Sequence, residues 1–394
     1  MNNKVLIVFG TRPEAIKMAP LFFSIKRLDC PIDVKICVTG QHREMLDQVL
    51  EVYGIKPDFD LNIMRQGQNL VDLTGEIIKG VSQVIARWQP GLMLVHGDTT
   101  TCFSSALAAF YNKVPIGHVE AGLRTWDVLN PFPEEMNRQL VSRIARFNFA
   151  PSVNSANNLI SEGIDRQKVF ITGNTVIDSM RLVLSKIDGE QKFRIDAEYG
   201  IDSVVKFDWR CQPYILVTCH RRENHGEGIE SICNALLALA KQYPEKHFVF
   251  PVHMNPNIQE PVQRILLRQK NIHIIPPIEY SAMILLLKNC YFVITDSGGL
   301  QEEAPSLGKP VLLLRDTTER PETVQSGSVK MIGAAREALE LEASKLIEST
   351  SEYEKMATAS NPYGNGDASI KIAEIIKNHF LDFNGTYLLK TAVN

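Results

Sequence analysis

The sequence predicts an α/β protein built as two halves in tandem, each a parallel sheet covered by helices on both faces. Short β-branched runs alternate with longer amphipathic stretches along the whole chain, the pattern of repeated βαβ units. The chain has 394 residues and 44% hydrophobic content, more than a single core usually organises. Charged residues also collect directly after the strand candidates, where ligands lie in sheets of this kind.

In the first half the strand candidates are residues 5–9, 34–39, 92–96, 115–119, 147–150 and 169–172, each followed by a helical pattern such as 13–27 or 100–111. The second series comprises 214–219, 247–251, 272–275, 291–295 and 310–314. Between the series, 186–212 is charged, weakly periodic and without a clear strand, which marks it as a linker. Domains are therefore expected at 1–185 and 213–365, with a final helix over 366–382.

Composition narrows the function classes. Lys and Arg total 42 against 45 Asp and Glu, a net charge of -3, so there is no electrostatic footprint for nucleic acid or an anionic membrane. The 7 cysteines are scattered without a C-x-x-C pair, as expected of reduced cytoplasmic thiols. The opening MNNKVLIVFGTR enters a strand rather than a signal peptide, and no apolar run reaches bilayer length. A soluble cytoplasmic protein is expected.

The most informative stretch is YFVITDSGGLQEEAPSLGKPVLLL, from Tyr291 to Leu314. A buried strand runs into Ser297-Gly298-Gly299, and a helix is expected from Leu300. Glycines let backbone amides approach a ligand, and a helix start offers unpaired N–H groups, so the turn reads as a phosphate cradle. A tight strand-to-helix turn without a ligand has the same local pattern.

Other strand ends carry charge as well. Gly10 opens GTRPEAIK, where Pro13 suits a first helical turn and Arg12 and Lys17 place two cations near one helix start. Asp98 follows the strand at 92–96, and Glu120 follows the one at 115–119. Glu134 and Arg138 stand one turn apart on a helix opening near Pro133. His220 ends the first strand of the second half, and Arg320 follows its last. Taken singly, Asp98 reads first as a helix cap, Glu134 as a first-turn acid, Arg138 as its surface partner and His220 as a structural histidine. Glu120, flanked by His118 and Gly122 at the end of an apolar strand, reads as a buried or cleft carboxylate. The histidines show no paired ligand spacing, which argues against a metal. Gly226-Glu227-Gly228 begins a G-x-G-x-x-G pattern, but Ser231 takes the third glycine position and the nicotinamide fingerprint fails. Carboxylates in one half and a phosphate cradle in the other suit an enzyme of nucleotide-sugar chemistry.

GTRPEAIKMAP, TGQHREML, HGDTTT, GHVEAGLRT, PFPEEMNR, CHRREN, PVHMNP and TDSGGLQEEAPSLGKPVLLLRDTTERPE occur in order, and together they resemble the non-hydrolysing UDP-N-acetylglucosamine 2-epimerases over residues 4 to 370. The resemblance implies a glycosyltransferase-B-like fold, two Rossmann-type domains facing across a cleft. It also implies interconversion of UDP-GlcNAc and UDP-ManNAc without a cofactor, in a homodimer. NPYGNGDAS and the helix after it resemble the segment that crosses back onto the N-terminal domain. Asp98, Glu120 and Glu134 match the family's catalytic carboxylates, and His220 a histidine near the diphosphate; which carboxylate acts on which face stays open. Arg12, Lys17 and Arg138 match the cations of the first domain, Ser297, Gly298 and Gly299 the diphosphate turn, Glu303 the ribose carboxylate, and Arg320 a cation near substrate. Tyr280 or Met283 takes the uridine contact. Gln41, His42, Glu134 and His253 correspond to a regulatory UDP-GlcNAc site of bacterial members, although Gly67 stands where an arginine is expected. The alternatives are a hydrolysing epimerase, an epimerase of another 2-acetamido UDP-sugar, and a glycosyltransferase or UDP-sugar sensor on the same scaffold.

Overall fold

The computed structural model describes residues 2–40, 43–63, 65 and 67–381. They divide into two compact units, one of residues up to Ser179 together with those from Tyr363 on, the other Met180–Pro362.

The first unit runs β1 (Lys4–Phe9), α1 (Arg12–Lys26), β2 (Asp33–Val38), α2 (Arg43–Tyr53), β3 (Phe59–Asp60), α3 (Leu70–Trp88), β4 (Leu92–His96), α4 (Thr100–Tyr111), β5 (Ile116–Val119), α5 (Glu134–Ile144), β6 (Phe147–Ala150), α6 (Val153–Ser161), β7 (Val169–Ile171) and α7 (Thr175–Gly189). Its strands form one parallel sheet ordered β3-β2-β1-β4-β5-β6-β7. β1 and β4 are almost wholly buried, as central strands covered on both faces must be. α3, α4 and α5 pack side by side on one face. Ser104, Ser105, Ala106, Ala108 and Ala109 of α4 are buried there, and such small side chains let neighbouring helices approach closely. The core of this face joins Leu6, Val8, Met93 and Val95 to Ile77, Val81 and Ile85 of α3.

The second unit runs α8 (Gln191–Asp202), β8 (Tyr214–Thr218), α9 (Glu227–Gln242), β9 (His247–Pro251), α10 (Pro256–Leu266), β10 (Ile272–Ile275), α11 (Tyr280–Asn289), β11 (Val293–Thr295), α12 (Leu300–Ser306), β12 (Val311–Leu313), α13 (Pro321–Gln325), β13 (Val329–Met331), α14 (Arg336–Glu348) and α15 (Thr350–Ala357). Its parallel sheet is ordered β10-β9-β8-β11-β12-β13. Ile215, Val217, Ile294 and Leu312 meet Ile229, Ile232 and Leu236 of α9 in its core. A final helix, α16 (Ala368–Leu381), returns to pack on α1 of the first unit.

Two short edge strands, β3 and β13, add to the strands expected from sequence, and the segment expected as a linker is not bare. The unit boundary falls inside α7, at Ser179/Met180, and α8 forms within 186–212 and packs on α11. Its buried residues are only Ala197 and Ile201, so a mostly polar surface helix gave the weak periodicity of a linker. In both sheets the strand order reverses at the centre, between β1 and β4 and between β8 and β11. Ligands of doubly wound sheets bind outside the carboxyl ends of the strands at that switch point.

Candidate active site

In the first unit the switch point brings together the ends of β1, β4 and β5. Glu120, immediately after β5, has a buried carboxylate. Its Oε2 pairs with Lys17 Nζ from α1, accepts from Asn174 Nδ2 at 2.7 Å and lies 3.7 Å from His96 Nε2. The backbone of Glu120 is left-handed, with φ 63°, a conformation that costs a residue with a Cβ about 1–3 kcal/mol. Asp98, after β4, lies 2.6 Å from Arg138 Nη2 of α5. The cap of α4 is Thr99, whose hydroxyl accepts from Cys102 N; Asp98 is left to the cation. Nor is Arg138 a surface partner, because it is buried between Asp98 and Glu135.

Glu14 organises the same corner and was missed from sequence. Its carboxylate accepts from the backbone N–H of Gly10 at 2.9 Å and Thr11 at 2.8 Å and from the Thr99 hydroxyl at 2.6 Å, so it ties the β1 turn to the β4 turn. Burial pushes its pKa up, an effect these hydrogen bonds oppose. His118 is structural. Its Nε2 lies 2.7 Å from Gly97 O, and burial lowers its pKa to about 3, so the ring is neutral. Arg12 and Glu134 occupy the first turns of α1 and α5, both half-buried. Gln41 and His42 lie outside the described residues.

In the second unit β8 and β11 meet at Thr218 and Thr295, whose hydroxyls are 2.6 Å apart. Two residues beyond each stand His220 and Ser297. Gly298 sits under a wall of cations: a Cβ on it would lie 2.9 Å from Arg320 Nη1 and 3.5 Å from Arg221 Nη2. Arg320 is held by Glu302 and by Glu319 at 2.7 Å, and Glu319 also takes Arg315 at 3.0 Å. Burial opposes ionisation of Glu319, yet Arg320, Arg315 and Arg221 outweigh it and hold its pKa well below the usual range. Burial and the like charge of Arg315 lower the pKa of Arg221, and its Nε is buried without a hydrogen-bond partner among the described residues. Two guanidiniums, Arg320 and Arg221, therefore flank the turn, with Arg315 beyond them on Glu319. α12 behind it has only seven residues, so these side chains, more than a helix dipole, supply its positive field.

Glu303 is buried and accepts from Tyr280 OH at 2.7 Å. Tyr280 thus orients that carboxylate, while Met283 stays half-buried on the next turn of α11. The His253 ring stacks 6.2 Å from that of His220, and burial lowers its pKa. Glu14, Asn174, Arg221, Glu302 and Glu319 carry no spacing signal; only their place inside the strand-end motifs or near a turn pointed to them.

Two doubly wound sheets, with paired carboxylates at the strand ends of one and an arginine-walled glycine turn at the switch point of the other, define a two-domain α/β protein of glycosyltransferase-B-like architecture. Residues 26–377 match the sequence model of the family described as UDP-N-acetylglucosamine 2-epimerase. The chain belongs to that family. It is 51% identical to the UDP-N-acetylglucosamine 2-epimerase of Campylobacter jejuni, across 95% of this chain and 98% of the relative, and 48% identical to that of Escherichia coli K12, across 95% and 99%. Its fold is similar to the crystal structure of the Neisseria meningitidis enzyme bound to UDP-GlcNAc, with a TM-score of 0.88 and 49% identity over 95% of this chain and all of that one. The Methanocaldococcus jannaschii enzyme, in complex with UDP-GlcNAc and UDP, gives a TM-score of 0.80 at 32% identity, over 95% and 99%.

Proposed function

We propose that this chain interconverts UDP-GlcNAc and UDP-ManNAc by reversible epimerisation at carbon 2, without hydrolysis. The observation that carries this reading is the pair of carboxylates, Asp98 on Arg138 and Glu120 on Lys17 and Asn174, fixed at adjacent strand ends in a member of this family.

The hydrogen on carbon 2 is not acidic, because no carbonyl adjoins it. Elimination avoids a free carbanion. A carboxylate takes the carbon 2 proton as the bond from carbon 1 to the diphosphate oxygen breaks. The electron pair of the C–H bond becomes the C1=C2 double bond of 2-acetamidoglucal, and UDP leaves with the C–O pair. A second acid then delivers a proton to the other face of carbon 2 while the diphosphate oxygen re-forms its bond to carbon 1. Such a cycle needs a base, an acid placed elsewhere and strong stabilisation of departing UDP. Asp98, Glu120 and Glu134 are the acid and base candidates of the first unit. Arg12 and Lys17 supply cations beside them. The Ser297-Gly298-Gly299 turn with Arg320, Arg221 and His220 retains the diphosphate, and Glu303, oriented by Tyr280, takes the ribose hydroxyls. Met283 is the remaining candidate to pack on the uracil.

Among the described residues no helix is long and apolar enough to cross a membrane, and a cytoplasmic reaction is the reading that suits a UDP-sugar substrate. Exposed apolar side chains, among them Phe110 and Tyr111 of α4, Met136 and Leu140 of α5, and Leu129 and Phe132 before it, support a homodimer. The test of function is NMR of UDP-GlcNAc incubated with the protein alone. UDP-ManNAc without free sugar is the expected product. Accumulation of free ManNAc and UDP would instead identify a hydrolysing enzyme, and an unchanged substrate a sensor.

A further inference from the structure

His220 stands two residues beyond β8, its backbone N–H bound by, and its ring in ion-pair contact with, one residue just past the neighbouring strand β11. Asp296 is fully buried. Its Oδ2 accepts from the backbone N–H of His220 and of Arg221, both at 2.8 Å, and from Asn224 Nδ2 at 3.1 Å. Its Oδ1 is buried with no donor at hydrogen-bond angle among the described residues, and His220 Nδ1 lies 2.9 Å from it as an ion-pair contact. Burial opposes ionisation of Asp296, but the His220 side chain and these backbone donors hold its pKa well below the usual range.

An ionised carboxylate has acceptors only, so Nδ1 carries the proton in this contact, and Nε2 is the nitrogen on the far side of the ring. The His220 side chain is 41% exposed, so that far edge is open while the near edge is anchored. A proton on Nε2 then makes an imidazolium whose charge Asp296 balances from behind. We propose that Asp296 is a positioning residue that fixes the tautomer and orientation of His220, so that Nε2 faces the diphosphate leaving carbon 1. This rests on the reading of the turn as the UDP site.

The isosteric change Asp296→Asn separates this role from packing. An asparagine keeps one oxygen for the three Oδ2 donors but turns its NH₂ toward Nδ1, which must then accept. The ring is left with the opposite tautomer and no buried counter-charge. Loss of the right tautomer in an Asp-His pair costs serine proteases about 10⁴ in turnover; here, with other cations around the turn, kcat is expected to fall about 10²-fold with KM within about threefold. In the His220→Gln background the same change should cost almost nothing further, because both act through one group.

The direct readout uses the unaltered protein. In ¹⁵N-histidine NMR, with the His220 signal assigned from its loss in His220→Gln, Nδ1 should be the protonated nitrogen, and Asp296→Asn should invert the pattern. An unprotonated Nδ1 in the wild type would overturn the proposal, whether or not any variant folds. So would additive losses in the double variant. If the wild type binds UDP but does not epimerise UDP-GlcNAc, the reading of function fails, while the tautomer measurement still decides the coupling of Asp296 to His220.

Discussion

Glu120 is held in a left-handed backbone conformation with its carboxylate on Lys17 and Asn174. A strained turn that buries an ion pair is costly unless the position of the carboxylate matters. Glu120→Gln and Asp98→Asn keep shape and remove charge, so each should lower epimerase turnover by about 10²–10⁴-fold while UDP affinity by calorimetry stays within a few-fold; parallel loss of UDP binding would reassign both residues to nucleotide recognition. The two glycines of the phosphate turn also separate cleanly. Neither has a positive φ, but a Cβ at Gly298 would displace Arg320, whereas one at Gly299 meets nothing closer than Glu303 Oε2 at 3.9 Å. Gly298→Ala should therefore weaken UDP binding about tenfold, or ~1.4 kcal/mol, and Gly299→Ala should leave it within about twofold; equal effects would contradict the arginine-walled cradle. Asp98, Glu120, His220 and Ser297 were legible because strand-end position follows from hydrophobic pattern. Asn174 and Asp296 were not assigned, since their partners stand 54 and 76 residues away and only the folded sheets bring them together.

The element that couples the end of the chain to the carboxylates is the return segment before α16. Tyr363 is fully buried, and its carbonyl accepts from Asn174 N at 2.9 Å, the same Asn174 whose side chain donates to Glu120. Gly173 is required at this crossing: its φ is +89°, and a Cβ would lie 2.8 Å from Tyr363 O. Asp178 of α7 then receives the first N–H groups of α16, from Ala368 at 3.3 Å and Ser369 at 2.8 Å, together with the Ser369 hydroxyl. Asp178→Ala leaves these donors unpaired and should cost about 1–3 kcal/mol, read as a lower melting temperature with faster amide exchange confined first to residues 368–381. Unchanged exchange there would show that α16 is held by its apolar face alone. The motif NPYGNGDAS and the helix after it were visible in sequence, whereas the bond from Tyr363 to Asn174 was not, being a backbone contact that no side-chain pattern encodes. The short edge strands β3 and β13 are largely exposed and leave no apolar run, whereas the equally short β11 and β12 are fully buried and were visible.

Across the whole molecule, acid sensitivity should come from the second unit. Asp296 and Glu319 have depressed folded-state pKa values. Their contribution is present above the unfolded carboxylate range, about 4, and is lost as pH falls toward the folded values. Glu14 and Asp178, whose pKa values burial raises, act in the opposite sense: their contribution declines as pH rises through the folded values. Glu319→Gln should be less stable than the wild type at pH 7, and the difference in melting temperature should narrow below about pH 4; a constant difference would mean that Glu319 acts through packing alone. The two-sheet architecture was legible from repeated βαβ units, but the boundary inside α7 was not, because a continuous helix carries no break in period. The central claim, elimination and re-addition at carbon 2, is tested most directly by incubating UDP-GlcNAc with the protein in deuterated water and examining both recovered UDP-sugars by NMR. Deuterium at carbon 2 of UDP-GlcNAc and UDP-ManNAc, with no free sugar, is the predicted result, and epimerisation that leaves the original hydrogen on carbon 2 would contradict it.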